Sequence, residues 1–180
     1  MPRSRAAATA RRRPVSRPRW AAVRLLALDV DGVLTDGTID VHSDGTESKC
    51  FSVLDGMGLK RLAALGIEVA WISGRASGAT TARATELKIA HLIQDRTDKL
   101  AVLQQLARRF GLEPRQVCYM GDDDFDAPAI RWAGIGVAPA AAMPAALAVA
   151  DYVPHRPAGR GAVREVCEHI LGSRGQKSLP

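Results

Sequence analysis

The chain has few cysteines and no long apolar segment. Cys50, Cys118 and Cys167 are isolated from one another, and the absence of a CxxC pair argues against a zinc or redox motif. We expect all three to be small buried residues in a reducing compartment, the cytoplasm. No segment approaches the roughly 18 to 20 consecutive apolar residues of a membrane-spanning helix, so no membrane partner is predicted.

Residues 1–24 have no acidic residue but contain eight of the 25 basic residues, which leaves 17 basic against 19 acidic residues for the rest. The net charge of +6 therefore belongs to this tail, which also lacks the apolar core of a secretory signal. We predict a disordered Arg-rich extension over 1–22, one domain over 23–172 and a flexible tail over 173–180. A transit peptide or a nucleic-acid contact is the alternative for the extension. Only Trp20 could stack on bases, so a nucleic-acid partner is not expected.

From Val23 onward, short apolar segments alternate with segments of helical periodicity. This pattern predicts an α/β fold, a doubly wound parallel sheet with helices on both faces. An Asp-Gly pair at 44–45 predicts a β-hairpin inserted after the first strand. Asp55 is a candidate N-cap for the next helix. The predicted strands are 23–30, 67–73, 90–94, 116–121, 135–139 and 151–154, and the helices are 55–66, 76–87, 97–111, 124–134, a short one ending near 150, and 161–171.

Polar residues follow the ends of several predicted strands. Asp29, Ser73 and Asp122 each follow a different strand, and Lys99 opens the helix after a fourth. Ligands of parallel sheets bind beyond the carboxyl ends of the strands, so we expect these side chains in one crevice. Buried together, the carboxylates of Asp29, Asp31 and Asp122 would repel one another and need a cation. Carboxylates without a nearby histidine suit magnesium (Mg2+), which commonly bridges protein to phosphate.

Such a cluster also suits phosphoryl transfer. One carboxylate can attack phosphorus to give an aspartyl phosphate, and a second can protonate the leaving alcohol and later activate water. Ser73 and Lys99 would donate to the phosphoryl oxygens. Backbone N–H groups at Gly32 and Gly74 could approach the phosphate closely. Arg75, beside that turn, suits an anionic substrate.

Four segments carry a resemblance to a known family. "DVDGVLTDG" (29–37), "ISGR" (72–75), Lys99 and "GDDDFD" (121–126) resemble, in order, the four motifs of the haloacid dehalogenase superfamily of phosphohydrolases. The resemblance implies a Rossmann-like fold and a magnesium-dependent phosphatase. The separation of about 90 residues between the first and last motifs makes the resemblance specific.

The resemblance also implies a role for each acidic residue. Asp29 would be the nucleophile and Asp31 the general acid and base. Magnesium would be held by the side chains of Asp29 and Asp122 and the backbone carbonyl of Asp31. Asp123 or Asp126 would support the metal-bound waters, or would instead cap the following helix.

Residues 24–172 are similar to the capless branch that contains the 3-deoxy-D-manno-octulosonate 8-phosphate phosphatases. A hairpin directly follows the first motif, no segment is long enough for a cap domain, and "GRGAVRE" lies near the end. The branch implies a sugar-acid phosphate substrate, lipopolysaccharide biosynthesis and a homotetramer. In that branch a C-terminal segment approaches an active site. Asp31, Arg75 and Arg160 are accordingly candidates for substrate contact, although Arg160 could also be a solvated surface residue.

The chain departs from this branch where Ser52 and Leu54 replace a histidine and a basic residue, and at Ala141 and Ala158. These positions could alter how the sugar acid is held or how subunits meet. A nonulosonate 9-phosphate or another keto-sugar acid phosphate is an alternative substrate. A non-catalytic oligomerisation module of the same fold is an alternative function. A phosphorylation-receiver domain is disfavoured because its acidic motifs come in a different order.

Overall fold

The predicted strands form a parallel sheet in the computed structural model, which describes residues 14–176. The strands in chain order are β1 (Leu25–Leu28), β2 (Asp40–Val41), β3 (Glu47–Ser48), β4 (Glu68–Ile72), β5 (His91–Ile93), β6 (Val117–Met120) and β7 (Ile135–Val137). The sheet has the order β5-β4-β1-β6-β7, and all its neighbouring strands are parallel. Chain order reverses at β1, which pairs with β4 on one side and with β6 on the other. The doubly wound α/β fold is therefore confirmed.

Helices cover both faces of this sheet. They are α1 (Arg17–Ala22), α2 (Val53–Ala64), α3 (Gly78–Leu87), α4 (Lys99–Arg109), α5 (Ala127–Trp132), α6 (Pro144–Val149) and α7 (Ala162–Ser173). Side chains of β1 alternate between the faces because successive residues of a strand point in opposite directions. Leu26 and Leu28 enter a core with residues of α2 and α7, whereas Leu25 and Ala27 enter a second core with residues of α4, α5 and α6.

The predicted hairpin is present as strands β2 and β3. They pair antiparallel, with Val41 opposite Glu47. The Asp44 carboxylate accepts a hydrogen bond from Thr46 N at 2.9 Å, and Gly45 has φ +84°, a left-handed conformation that suits glycine at this turn. The hairpin connects β1 to α2.

The expected disorder over residues 1–22 is wrong for its last part. Residues 17–22 form α1, with a proline in its first turn. Trp20 is 3 % exposed and stacks on His169 with ring centroids 5.1 Å apart. Burial of this aromatic ring, together with the ion pair of Arg19 with Asp151 at 3.0 Å, holds a segment whose composition suggested disorder. Residues 1–13 and 177–180 lie outside the described residues, and α7 extends to Ser173, at the start of the predicted C-terminal tail.

Other local predictions also differ from the structure. The expected strand at 151–154 is a single bridge between Val137 and Tyr152. Cys118 and Cys167 are buried as expected, but Cys50 is exposed because it follows the hairpin rather than a strand of the main sheet. Within residues 14–176, no helix has the length and apolar character needed to cross a bilayer.

The prediction that Asp55 is the N-cap of α2 is wrong. Ser52 is the N-cap of α2, and its side chain accepts from Asp55 N at 3.4 Å. The Asp55 carboxylate is buried and instead accepts from the backbone N–H groups of Gly161 and Arg164, at 3.2 and 2.7 Å. Gly161 supplies no capping side chain, so Asp55 caps α7 from another helix.

The loop before α7 packs directly on the residues that follow β1. Gly159 N donates to Val33 O at 3.1 Å. Gly159 has φ +64°, and a Cβ at this position would lie 2.6 Å from the carbonyl carbon of Thr35. Glycine is therefore required here by both conformation and space. This contact ties the C-terminal helix to the loop that carries the first acidic motif.

Candidate active site

The predicted site residues meet at the carboxyl ends of the central strands. Asp29 follows β1, Ser73 follows β4, and Asp122 lies two residues beyond β6. Together with Lys99 and Arg75 they line an open cavity of about 290 Å³. The cavity lies at β1, where the order of the sheet reverses, the usual ligand position in such folds.

Asp29 is held by Lys99 inside this cavity. Lys99 is 4 % exposed, and its Nζ lies 2.5 Å from Asp29 Oδ1 and 2.7 Å from Ile72 O. Burial raises the pKa of Asp29 to about 6, and the charge of Asp126 adds to this rise, while Lys99 opposes it. The lysine thus fixes the direction of the carboxylate and neutralises part of its charge.

Three carboxylates crowd beside this ion pair. Asp29, Asp122 and Asp126 each place an oxygen within 4.8 Å of the others. Burial, followed by the charges of Asp29 and Asp126, raises the pKa of Asp122 to about 8. The buried Oδ1 of Asp122 has no hydrogen-bond partner. A hard divalent cation would satisfy this oxygen and relieve the repulsion, so the residues fit magnesium.

Asp126 is already saturated by protein donors. It accepts from Tyr119 OH at 2.6 Å and from the backbone N–H groups of Asp122 and Asp123, each at 3.0 Å. Its role is therefore to orient the loop that presents Asp122. Asp123 caps the short 3₁₀ turn Asp124–Asp126, accepting from Asp124 N at 2.6 Å. A metal-supporting role for Asp123 or Asp126 stays a prediction.

The repulsion among carboxylates predicts Asp31 as a member of the acidic trio, but the structure places its side chain elsewhere. Its carboxylate pairs with Lys49, whose Nζ lies 2.6 Å from Oδ1 and donates to Oδ2 at 2.9 Å. The Lys49 side chain has no solvent-exposed surface. The charge of Asp31 is therefore compensated by a lysine, and the carboxylate that completes the trio is Asp126.

The turn after Asp31 is shaped by Thr35 and Gly32. The buried Thr35 Oγ1 accepts from the N–H groups of Gly32 and Gly37, at 3.3 and 3.2 Å. Gly32 has φ +83°, and a Cβ there would overlap the Asp122 carboxylate. The first and last acidic motifs are thus in contact, and only glycine permits their approach.

Ser73, Gly74 and Arg75 form the opposite wall of the cavity. Ser73 is buried, and its hydroxyl donates to Arg75 O at 2.9 Å and accepts from Arg75 N at 3.1 Å. The Arg75 guanidinium pairs with Glu47 Oε2 at 3.1 Å and is half exposed. The hairpin thus reaches the edge of the cavity through Glu47.

The structure does not bring Arg160 into this cavity. The residue is exposed on the loop before α7. Hydrogen bonds from Thr38 hold the pKa of Asp36 below its usual range, and Arg160 contributes a smaller share through its charge. Asp36 is therefore a turn residue that accepts from Thr38 N at 3.0 Å. A substrate contact by Arg160 stays a prediction.

Sequence reasoning missed Lys49, Glu47 and Phe125. Phe125 lines the cavity and is 63 % exposed, unusual for a large apolar side chain. Glu47 and Lys49 are two residues apart on an extended segment, and this spacing places them on the same face. That spacing was the available signal, but which face turned toward the cavity could not be deduced from it.

Comparison with known proteins agrees with this geometry. Residues 72–165 match the family of haloacid dehalogenase-like hydrolases. A 3-deoxy-D-manno-octulosonate 8-phosphate phosphatase of Salmonella typhi is 44 % identical over 154 residues, which cover 86 % of this chain and 82 % of the relative. The phosphatase of the same name from Yersinia pestis is 45 % identical over 153 residues, 85 % of this chain and 82 % of the relative.

Solved structures give the same result. The phosphatase of that name from Moraxella catarrhalis superposes with a TM-score of 0.85 at 44 % identity, covering 87 % of this chain and 90 % of that one. That protein was crystallised with a magnesium ion, a phosphate ion and a KDO molecule. A Xanthomonas campestris protein described as hypothetical covers 98 % of this chain and 94 % of its own, with a TM-score of 0.86 at 40 % identity. The chain therefore belongs to the family of haloacid dehalogenase-like hydrolases, in the branch of the 3-deoxy-D-manno-octulosonate 8-phosphate phosphatases.

Proposed function

We propose that this protein is a magnesium-dependent phosphatase that hydrolyses 3-deoxy-D-manno-octulosonate 8-phosphate to the free sugar acid and phosphate. The observation that carries the proposal is the buried Asp29 carboxylate, held 2.5 Å from Lys99 at the reversal of the strand order. The similarity of the chain to a 3-deoxy-D-manno-octulosonate 8-phosphate phosphatase, 44 % identical over most of the chain, supports the choice of substrate. The reaction would serve lipopolysaccharide biosynthesis.

The residues of the cavity have separate tasks in this reaction. Asp29 attacks phosphorus and forms an aspartyl phosphate as the bond to the sugar oxygen breaks. Asp31 gives a proton to that oxygen and afterwards takes one from the water that releases phosphate. Lys99, Ser73 and the N–H of Gly74 provide donors for the phosphoryl oxygens, where negative charge accumulates.

The residues suited to hold magnesium are Asp29 and Asp122 through their side chains and Asp31 through its backbone carbonyl, with Asp126 fixing the loop of Asp122. When bound, the ion supplies positive charge that lets a phosphate dianion approach these carboxylates. The unpartnered Asp122 Oδ1 supports this assignment.

Substrate recognition falls to groups beyond the phosphate. Arg75 is the candidate partner for the sugar-acid carboxylate, because its guanidinium lines the cavity and retains exposed surface beside Glu47. Arg160 would contribute only through a movement of its loop or from another subunit. Another keto-sugar acid phosphate, such as a nonulosonate 9-phosphate, is the alternative substrate.

We further propose a homotetramer in the cytoplasm. The start of α2 exposes three apolar side chains, Val53 at 76 %, Leu54 at 47 % and Met57 at 45 %. The two-strand hairpin that precedes α2 in the chain presents open edges, and Val41 on it is 75 % exposed. Subunit contacts would cover both features. The free thiols of Cys118 and Cys167 support a reducing compartment.

The test is turnover of purified protein on a panel of phosphorylated sugars and sugar acids with magnesium, ranked by kcat/KM. We expect the octulosonate 8-phosphate to rank first, Asp29→Asn to abolish turnover, and excess chelator to stop it. Asp44→Asn, a matched change at the hairpin tip, should keep full activity. Flat, slow activity on every ester would refute the sugar-acid assignment. An active Asp29→Asn variant would refute the nucleophile. Absence of any turnover would favour the non-catalytic module.

A further inference from the structure

We infer that Lys49 is a positioning residue that holds the Asp31 carboxylate where it can transfer a proton to the leaving sugar oxygen. The inference rests on the proposed phosphatase function. The contact between the two side chains carries it: Lys49 Nζ lies 2.6 Å from Asp31 Oδ1 and donates to Oδ2 at 2.9 Å. The ammonium group thus hydrogen-bonds Oδ2 and lies in ion-pair contact with Oδ1, which accepts no hydrogen bond.

Lys49 is fixed as firmly as a core residue. Its side chain has no exposed surface, unlike the lysines of ordinary surface ion pairs, which contribute little because water competes with them. Its Nζ also lies 3.4 Å from Oγ1 of the buried Thr80. A buried ammonium needs a charged partner, and Asp31 is the nearest carboxylate, since Glu47 is 3.9 Å away.

The backbone that carries Lys49 is anchored beside the cavity. Glu47, two residues earlier, accepts from Ser77 Oγ at 2.5 Å and pairs with Arg75 at 3.1 Å. Ser77 is the N-cap of α3 and accepts from Thr80 N. The exit of the hairpin is therefore bound to the start of α3, and this fixes the backbone from which Lys49 reaches Asp31.

This arrangement has a chemical consequence. Asp31 is two residues from Asp29, and without Lys49 nothing else in the described contacts of its side chain would fix its direction. The first step requires Asp31 in its protonated form, with the proton on Oδ1, which accepts no hydrogen bond, while Lys49 donates to Oδ2. The bond from Asp29 to phosphorus forms, the bond from phosphorus to the sugar oxygen breaks, and the proton of Asp31 goes to that oxygen. Asp31 is left as the carboxylate that Lys49 stabilises. An alkoxide is a poor leaving group, so this proton matters for a sugar ester. A nitrophenolate leaves without it.

The test compares two leaving groups. The ratio kcat/KM reports the steps up to release of the alcohol, so it isolates the first proton transfer from hydrolysis of the aspartyl phosphate. For Lys49→Met we expect kcat/KM to fall about 100-fold on the sugar-acid phosphate but less than about 5-fold on p-nitrophenyl phosphate, because a positioned proton donor contributes roughly 10²–10⁴-fold. Lys49→Arg should retain most of the wild-type kcat/KM on the sugar-acid phosphate. Lys60→Met, at an exposed lysine of α2, should leave kcat/KM unchanged on both esters.

Equal losses on both esters would overturn the inference, since they would indicate general damage to the site. Unchanged kcat/KM on both would overturn it as well. If Lys49→Met does not fold, Lys49→Gln takes its place in the same comparison. A double-mutant cycle gives independent evidence: in an Asp31→Asn background, removing Lys49 should cost nothing further on the sugar ester. An inactive wild type would refute the proposed function instead, so the two failures are distinguishable.

Discussion

Replacing Asp55 by alanine should destabilise the protein by removing the cap of α7. The carboxylate is 1 % exposed and accepts two backbone hydrogen bonds, from Gly161 at 3.2 Å and Arg164 at 2.7 Å. Two buried N–H groups would lose their acceptor, at about 1 to 3 kcal/mol each. Burial raises the pKa of Asp55, so the charge itself carries a desolvation cost that alanine would remove. The net loss in free energy of unfolding is then about 2 to 4 kcal/mol. This is similar to the loss of a helix N-cap together with the interaction of its negative charge with the helix dipole.

Urea unfolding followed by circular dichroism measures this loss, with thermal unfolding as a second readout. At about 3 °C per kcal/mol for a chain of this size, Tm should fall by about 6 to 12 °C. Asp55→Asn should lose about half as much, because its amide oxygen can keep the Arg164 bond while its NH2 cannot accept from Gly161. Glu86→Ala, which breaks an exposed ion pair with Arg83, should cost less than about 0.5 kcal/mol. A loss below about 1 kcal/mol for Asp55→Ala would refute the capping role.

Three further outcomes follow from the acidic trio and its surroundings. The pKa values of Asp29, about 6, and Asp122, about 8, are raised in the folded protein, so without magnesium the folded state holds these protons more tightly than the unfolded state. In chelator, the free energy of unfolding should therefore fall as pH rises through both values. The increase in Tm on adding magnesium should become larger over the same pH range. Gly32→Ala and Gly45→Ala, at φ +83° and +84°, should both lower stability, and Gly32→Ala should lower it more, because its added methyl would lie 2.0 Å from Asp122 Oδ2. Only Gly32→Ala should also lower activity and magnesium affinity, since nothing lies near the added methyl at Gly45. Lys99→Met should abolish turnover and cost about 3 to 5 kcal/mol, because a buried carboxylate loses its partner; near-normal urea stability would contradict this.

The sequence predicted those site residues whose place depends on local structure. Asp29, Ser73 and Lys99 each lie where a strand ends or a helix begins, so a parallel sheet alone brings them together. Lys49 and Asp55 could not be assigned in this way. Their partners, Asp31 and the start of α7, are set by how the hairpin and two helices pack, and nothing in their neighbouring residues encodes that packing.

The same distinction between local and long-range contacts explains where the prediction of the fold was wrong. Arginine-rich composition predicted disorder up to residue 22, yet the Trp20 ring packs on Tyr152 and His169, and Arg19 pairs with Asp151, so α1 is held against the domain. Residues 151–154 have the composition of a strand but meet only the short edge strand β7, so pairing stops after one bridge. Long-range contacts outweighed local preference in both cases.

The order of the sheet also affects when the site can form during synthesis. Leu25 of β1 pairs with Val117 of β6, so the strand that carries Asp29 receives its second neighbour only after about 90 more residues, roughly 5 to 20 s at ordinary translation rates. The loop behind Thr35 waits longer still, until Gly159 has been added. Asp29 is among the first residues of the domain to leave the ribosome and among the last to acquire its surroundings. A nascent chain stalled before residue 155 would therefore carry every motif of the acidic cluster without the support that shapes the turn.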